Sequence, residues 1–169
     1  MSKLLQYYVE GECEEKIINA FQHEVVGFLP GKIDVINPAE KIISKLRISQ
    51  LKKGTIVVLV YDTDVANEKI LEANVNSLKQ SKNIKAIHHV QSVGNFEDEI
   101  VFASCISSIH EVFKTKSISE FKTKFITHKD IVSKLNSVGF DIDLIWTRNS
   151  KSFNKYINQG DKIKTKTHK

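Results

Sequence analysis

Ile56–Asp64 reads Ile-Val-Val-Leu-Val-Tyr-Asp-Thr-Asp, and it decides the fold. Six consecutive apolar residues, rich in β-branched side chains and without alternation, read as a strand buried on both faces. Such a strand belongs in the middle of a parallel sheet. The run ends on two carboxylates, Asp62 and Asp64, two residues apart, where an extended backbone gives way to a loop. That spacing puts both side chains on one side of the chain. Two acids at the mouth of an apolar strand repel each other and resist desolvation, and a divalent cation with oxygen ligands relieves both costs.

Outward from this strand, the N-terminal half alternates. Leu4–Val9 is a short buried strand, followed by Glu10, Gly11 and a helical apolar face at 13, 17, 18, 21, 25 and 26. Glu12, Glu14 and Glu15 stand at the start of that helix, where acids suit its dipole. Gly11 reads as a sharp backbone turn beside the acids. Lys32–Ile36 is a second strand. Asn37-Pro38 opens a helix expected to run to about Leu51, with Asn37 as cap. After the acidic-ended strand come a helix over Asn67–Ser81 and a fourth strand, Ile84–Val90. Repeated strand–helix alternation predicts an α/β fold, with a mainly parallel, Rossmann-like central sheet and helices on both faces. Ligands of such sheets bind outside the carboxyl ends of strands, which is where Glu10, Asp62 and Asp64 lie.

The C-terminal half is expected to be mostly helical. Helices are predicted over Phe96–Val112, over Thr127–Val138 with Thr127 as cap, and over Ser150–Ile157. Phe140–Trp146 reads as a fifth strand or an extended connector. Asp141 and Asp143 repeat the two-residue spacing there, in alternation that suggests a solvated strand face. His88 and His89 should point to opposite faces of their strand. Cys13 reads as a small packed residue at a helix start. One domain is expected over residues 1–157, with its core motifs in 4–93 and a mostly helical extension over 94–157.

The 169 residues suffice for one ordinary domain, and 41% hydrophobic with 27% charged content is that of a globular protein. No stretch approaches the roughly 20 apolar residues of a membrane span, and the first residues lack the features of a signal peptide, so the cytoplasm is the expected compartment. Two distant cysteines, Cys13 and Cys105, indicate neither a disulfide framework nor a zinc site. The net charge of +5 is carried by the C-terminal stretch: Lys151, Lys155, Lys162, Lys164, Lys166 and Lys169 face a single acid, Asp161. Residues 158–169 are expected to form a basic disordered tail. Arg148, Lys151 and Lys155 are candidate contacts to a phosphate backbone.

The segments Tyr7-Tyr8-Val9-Glu10-Gly11-Glu12-Cys13-Glu14 and Ile56–Asp64 together resemble the TOPRIM domain. In that family a Glu-Gly turn follows the first strand and an Asp-x-Asp ends a later one. Within it, the chain looks most like the small RloB- and AbiL-type bacterial phage-defence proteins, and the OLD-type nucleases share the domain. A downstream Phe-Glu element of such proteins looks like Phe96-Glu97 here, while Cys13 stands where a threonine is common. The resemblance implies a Mg²⁺- or Mn²⁺-dependent nuclease acting on DNA or RNA. Asp62, Asp64, Glu10 and Glu97 are then the metal-site acids, and Glu10, Asp62 and Asp64 the catalytic set. It leaves open a second reading, a non-catalytic module that binds nucleic acid, a partner protein or further copies of itself in a defence complex. No membrane partner is implied. From the residues alone, Glu10, Asp62 and Asp64 also read as turn or cap acids, and Glu97 as the cap of its helix.

Overall fold

Four strands form one all-parallel sheet in the order β2-β1-β3-β4: β1 is Leu5–Val9, β2 Lys32–Val35, β3 Thr55–Asp62 and β4 Ile84–Ser92. This is the expected α/β architecture. The computed structural model describes residues 4–64 and 68–165. Every residue of β1 and β3 is buried, as central strands require. The sides of the strands do alternate, but both sides are apolar. Tyr7, Val9, Ile56, Val58 and Val60 face one core, and Tyr8, Val57, Leu59 and Tyr61 face the other. Two cores, one on each side of the sheet, are why Ile56–Tyr61 shows no polar period.

The first core is closed by α1 (Glu12–Glu24) and by a helical layer of α4 (Phe96–Phe102), α5 (His110–Phe113), α6 (Ile118–Thr127) and α7 (Ile131–Asn136). Ile17, Ile18 and Phe21 of α1 are fully buried there beside Phe121, Phe125 and Trp146. The second core is closed by α2 (Lys45–Ser49) and α3 (Glu68–Lys79), with Ile48, Leu71, Val75, Leu78 and Phe153. Among the described residues, no helix is long and apolar enough to cross a membrane.

Several expected elements come out differently. The helix expected from Asn37 is a turn, and only Lys45–Ser49 is helical, capped by Ser44. The cause is distant in sequence. Asn74, fully buried on α3, donates to the carbonyls of Pro38 and Lys41 and accepts the Ile43 N–H, which takes the backbone groups a helix would use. Asn37 still bonds locally, accepting the Ala39 N–H. The helix expected over Phe96–Val112 breaks after Phe102. Glu111 holds the intervening loop by accepting the N–H groups of Ser107 and Ser108. The polar stretch before Thr127 is a helix in its own right. Ser117 and Glu120 cap it together, Ser117 Oγ accepting from Glu120 N and Glu120 Oε2 from Lys116 N. Thr127 therefore closes α6, and the next helix starts at Ile131.

Phe140–Trp146 is a series of turns and adds no strand, and Asp141 accepts the Asp143 N–H within it. Ser150–Ile157 is also turns rather than helix. The segment expected to be disordered from Asn158 is folded as far as Thr165. Gln159 and Asn158 pair with the outer edge of β4 at His89 and Gln91, and a 3₁₀ turn at Gly160–Ile163 follows. Ile163 is fully buried and the Lys164 ammonium donates to the carbonyls of Ile142 and Ile145. An edge strand with free N–H and C=O groups is covered in this way. Lys166 and Lys169 lie outside the described residues.

Candidate functional site

The strand order reverses between β1 and β3: the chain leaves β1 toward β2 on one side and returns to β3 on the other. The crevice at their carboxyl ends is the place where open parallel sheets bind ligands. Glu10 follows β1 directly and Asp62 is the last residue of β3. Glu10 Oε2 accepts the Asp62 N–H at 2.8 Å, so two residues fifty-two positions apart are locked together. Asp62 shares strand parity with Val58 and Val60 and so turns toward the α1–α4 side. Beyond it the backbone bends, and the N–H groups of Thr63 and Asp64 both donate to the Gly94 carbonyl while the Gly94 N–H donates to Thr63 Oγ1. Gly94 has a φ of +83°, and a β-carbon there would strike the Asp98 carboxylate. The loop that presents Asp64 is thus tied to the end of β4.

A cleft of about 560 Å³ opens over these residues. Glu10, Asp62, Asp64 and Glu97 all line it, together with Asp98, His110 and Lys122. The four acids assigned to a metal site from sequence therefore meet in one place. Glu97 sits in the first turn of α4 and is buried, while the capping bond of that helix comes from Asn95, which accepts the Asp98 N–H.

Two members of the cluster escape the sequence reading. Glu14, which reads as a helix-dipole acid, is 4% exposed and lies beside Glu10, Glu97 and Asp62. A signal for it exists: position 14 lies three and four residues before Ile17 and Ile18, on the buried stripe of α1. Lys122 of α6 has its ammonium 3.3 Å from Glu97 Oε1. Nothing local marks that lysine among the many around it. Gly11 makes no sharp turn: its backbone is extended (φ −152°), a conformation open to any residue. What it provides is room, since a β-carbon there would press on Glu14 Oε2 at 3.3 Å.

The electrostatics follow from burial and crowding. Burial, then the charges of Glu14 and Glu10, push Asp62 up to about 9, against the pull of the Phe96 N–H and the Ser92 hydroxyl. Burial, with Glu10 and Glu97 nearby, lifts Glu14 to about 7. Glu10 is raised chiefly by burial, with the Asp62 N–H acting against it. Cys13 is buried and its thiol is pushed up to about 12 by burial and the neighbouring acids, so it packs and is not a reactive thiolate. His89 is buried and held neutral down to about 4, with its ring stacked on Tyr156 at 4.2 Å.

The proposed phosphate-contacting residues are elsewhere. Arg148 donates to Glu99 Oε2 at 2.8 Å and stacks over the Phe102 ring. Glu99 is fully buried and also accepts the N–H groups of Val93 and Trp146. Lys155 pairs with Glu72 of α3 at 2.6 Å. Lys151 is exposed. None of the three lines the acidic cleft.

Among the described residues, no group of three or more His, Cys, Asp or Glu side chains is arranged so that it could hold a metal ion. A Mg²⁺ site does not need one, because the ion keeps several waters and takes one or two carboxylates. Asp62 Oδ1 is buried without a hydrogen-bond partner, which costs free energy unless a cation or proton satisfies it. The donors in the cleft are carboxylate oxygens, the type a hard cation prefers. Compared with protein-family models, with curated proteins and with solved structures, the chain matches none.

Proposed function

We propose that this chain is a Mg²⁺-dependent phosphodiesterase of TOPRIM type that cleaves DNA or RNA, in the setting of bacterial phage defence. The observation that carries the reading is the 2.8 Å bond from the Asp62 N–H to Glu10, which joins the acids of two adjacent strand ends in one cleft. Asp62 and Asp64 would hold the cation, and Glu97, which lines the same cleft, would be a further ligand. The ion when bound supplies Lewis acidity toward a phosphoryl oxygen and a more acidic bound water.

The remaining work falls to the chain. Glu10, with its affinity for protons raised by burial, would accept a proton from an attacking water. Its second role is to fix the β3 terminus, because it accepts the Asp62 N–H. Glu14, buried beside Asp62, raises the affinity of Asp62 for a proton. His110 and Lys122 also line the cleft and would meet a polyanionic substrate there.

The test is incubation of the purified protein with mixed DNA and RNA, with and without Mg²⁺ or Mn²⁺. Metal-dependent cleavage by wild type, abolished in Asp62→Ala, is the expected result. Absence of cleavage, or equal cleavage by the variant, removes the reading.

A second reading is a non-catalytic module that binds nucleic acid or a partner protein. It is favoured by the Lys122 ammonium, which already partly neutralises Glu97 and supplies the cleft with a cation of its own. Lys122-dependent oligonucleotide binding together with no hydrolysis in Mg²⁺ or Mn²⁺ would decide for it.

A further inference from the structure

The acidic cleft holds Glu10, Asp62, Asp64, Glu97 and Asp98, with Glu14 buried close behind them, and Lys122 is the lysine that reaches in. Its ammonium is 3.3 Å from Glu97 Oε1. The side chain rises from α6, whose buried residues Phe121 and Phe125 anchor the helix in the first core. The Lys122 backbone is thus fixed, while its side chain is about half exposed (51%). In the same cleft, Asp62 Oδ1 is buried without a hydrogen-bond partner, in a residue 9% exposed. The cleft therefore has a lysine counter-charge at Glu97, and neither Glu97 Oε1 nor Asp62 Oδ1 has a hydrogen-bond partner.

We propose that Lys122 is the resident counter-cation of the cleft and that it and a divalent cation exclude each other, metal entry drawing Glu97 away and releasing the ammonium to hold a substrate phosphate. This rests on the metal-binding part of the function proposed above and adds a residue to it. The physical reason is charge balance. A dication a few ångströms from an ammonium in a partly desolvated cleft is repelled strongly enough to matter, while the same dication gains all of Glu97 once the lysine has left. A lysine stem is suited to the exchange, being a point charge on a flexible chain with three donors. Its new partner would be an anion at the mouth of the cleft, so metal loading and phosphate binding become coupled through one side chain.

The experiment is calorimetric titration of Mn²⁺ into metal-free wild type, Lys122→Met and Lys122→Arg, followed by binding of a labelled oligonucleotide in Ca²⁺. Lys122→Met is expected to bind Mn²⁺ roughly tenfold more tightly than wild type at low ionic strength, an advantage that shrinks with salt. Lys122→Arg, which keeps the charge, should stay near wild type. In Ca²⁺ the Met variant should bind oligonucleotide several-fold more weakly, and Arg should restore it. Mn²⁺ binding by the Met variant but not by wild type would support the exclusion and sink the nuclease reading of the wild-type chain. Equal or weaker Mn²⁺ binding by the Met variant overturns the exclusion and leaves the nuclease reading standing. No Mn²⁺ binding by any of the three overturns both. Melting curves of the three proteins establish that each is folded before titration.

Discussion

Replacing Asp62 by Asn should make the metal-free protein more stable at neutral and alkaline pH. Asp62 is 9% exposed, has one buried oxygen without a partner, and is crowded by Glu14 and Glu10, which together with burial raise it from 3.8 to about 9. In the unfolded chain the same carboxyl is ionised above about pH 4. Folding at pH 7 therefore requires it to take up a proton or to bury a charge. A raised carboxyl leaves the native state unpenalised below 3.8 and costs it increasingly as pH climbs toward 9. At about 1.4 kcal/mol per pH unit, the roughly three units between the ordinary aspartate value and neutrality give about 4 kcal/mol. Part of this is shared with Glu14, which titrates beside it, so about 2–3 kcal/mol is expected for Asp62 alone. For a chain of this size that corresponds to a rise in Tm of about 5–10 °C.

The assay is thermal denaturation of wild type and Asp62→Asn in chelator between about pH 5 and 9. The two curves should converge toward acid pH and separate as pH rises, and added Mn²⁺ should raise the Tm of wild type more than that of the variant. Residues kept at a cost to folding are a recurring feature of functional sites. If Asp62→Asn leaves Tm unchanged at about pH 8, or lowers it equally at every pH, Asp62 is an ordinary structural acid and the electrostatic account of the cleft is wrong.

Glu10→Gln keeps an oxygen for the Asp62 N–H but removes the proton acceptor. It should fold with a Tm within a few degrees of wild type and lose metal-dependent cleavage by about 10²-fold or more, measured on the substrate found with wild type. Arg148→Met leaves the fully buried Glu99 without its cation, and should destabilise by about 3–5 kcal/mol in urea denaturation. Lys151→Ala, at an exposed position, should have no measurable effect on stability; a mild Arg148 phenotype with lost oligonucleotide binding would instead make Arg148 a phosphate contact. His89 is held down to about 4 mainly by burial, so the native state loses stability as pH falls from about 6.5 to 4, opposite in sign to Asp62. His89→Gln should flatten the acid limb of the Tm–pH curve and leave the alkaline limb as it is.

The parallel sheet and the place of its acids were legible in the residues because both are local properties. A six-residue apolar run can be satisfied only with cover on both sides, and a carboxylate cannot stay within such a run, so Asp62 and Asp64 had to fall at its mouth. The paired caps at Ser117 and Glu120 and the inward position of Glu14 were equally local, and the spacing of the residues contained both. Other features depended on partners far along the chain. Whether Asn37 starts a helix was decided by the Asn74 side chain taking the carbonyls of Pro38 and Lys41. Whether Asn158–Thr165 folds was decided by the open edge of β4 and a cavity for Ile163. Arg148 reads as a free cation in one dimension and is committed to Glu99 in three. Lys122 is one of 25 basic residues in the sequence, and its position opposite Glu97 follows from how α6 packs on the first core. Periodicity reports which face of a segment is buried, but the identity of what it is buried against depends on chain reversals that no short window contains.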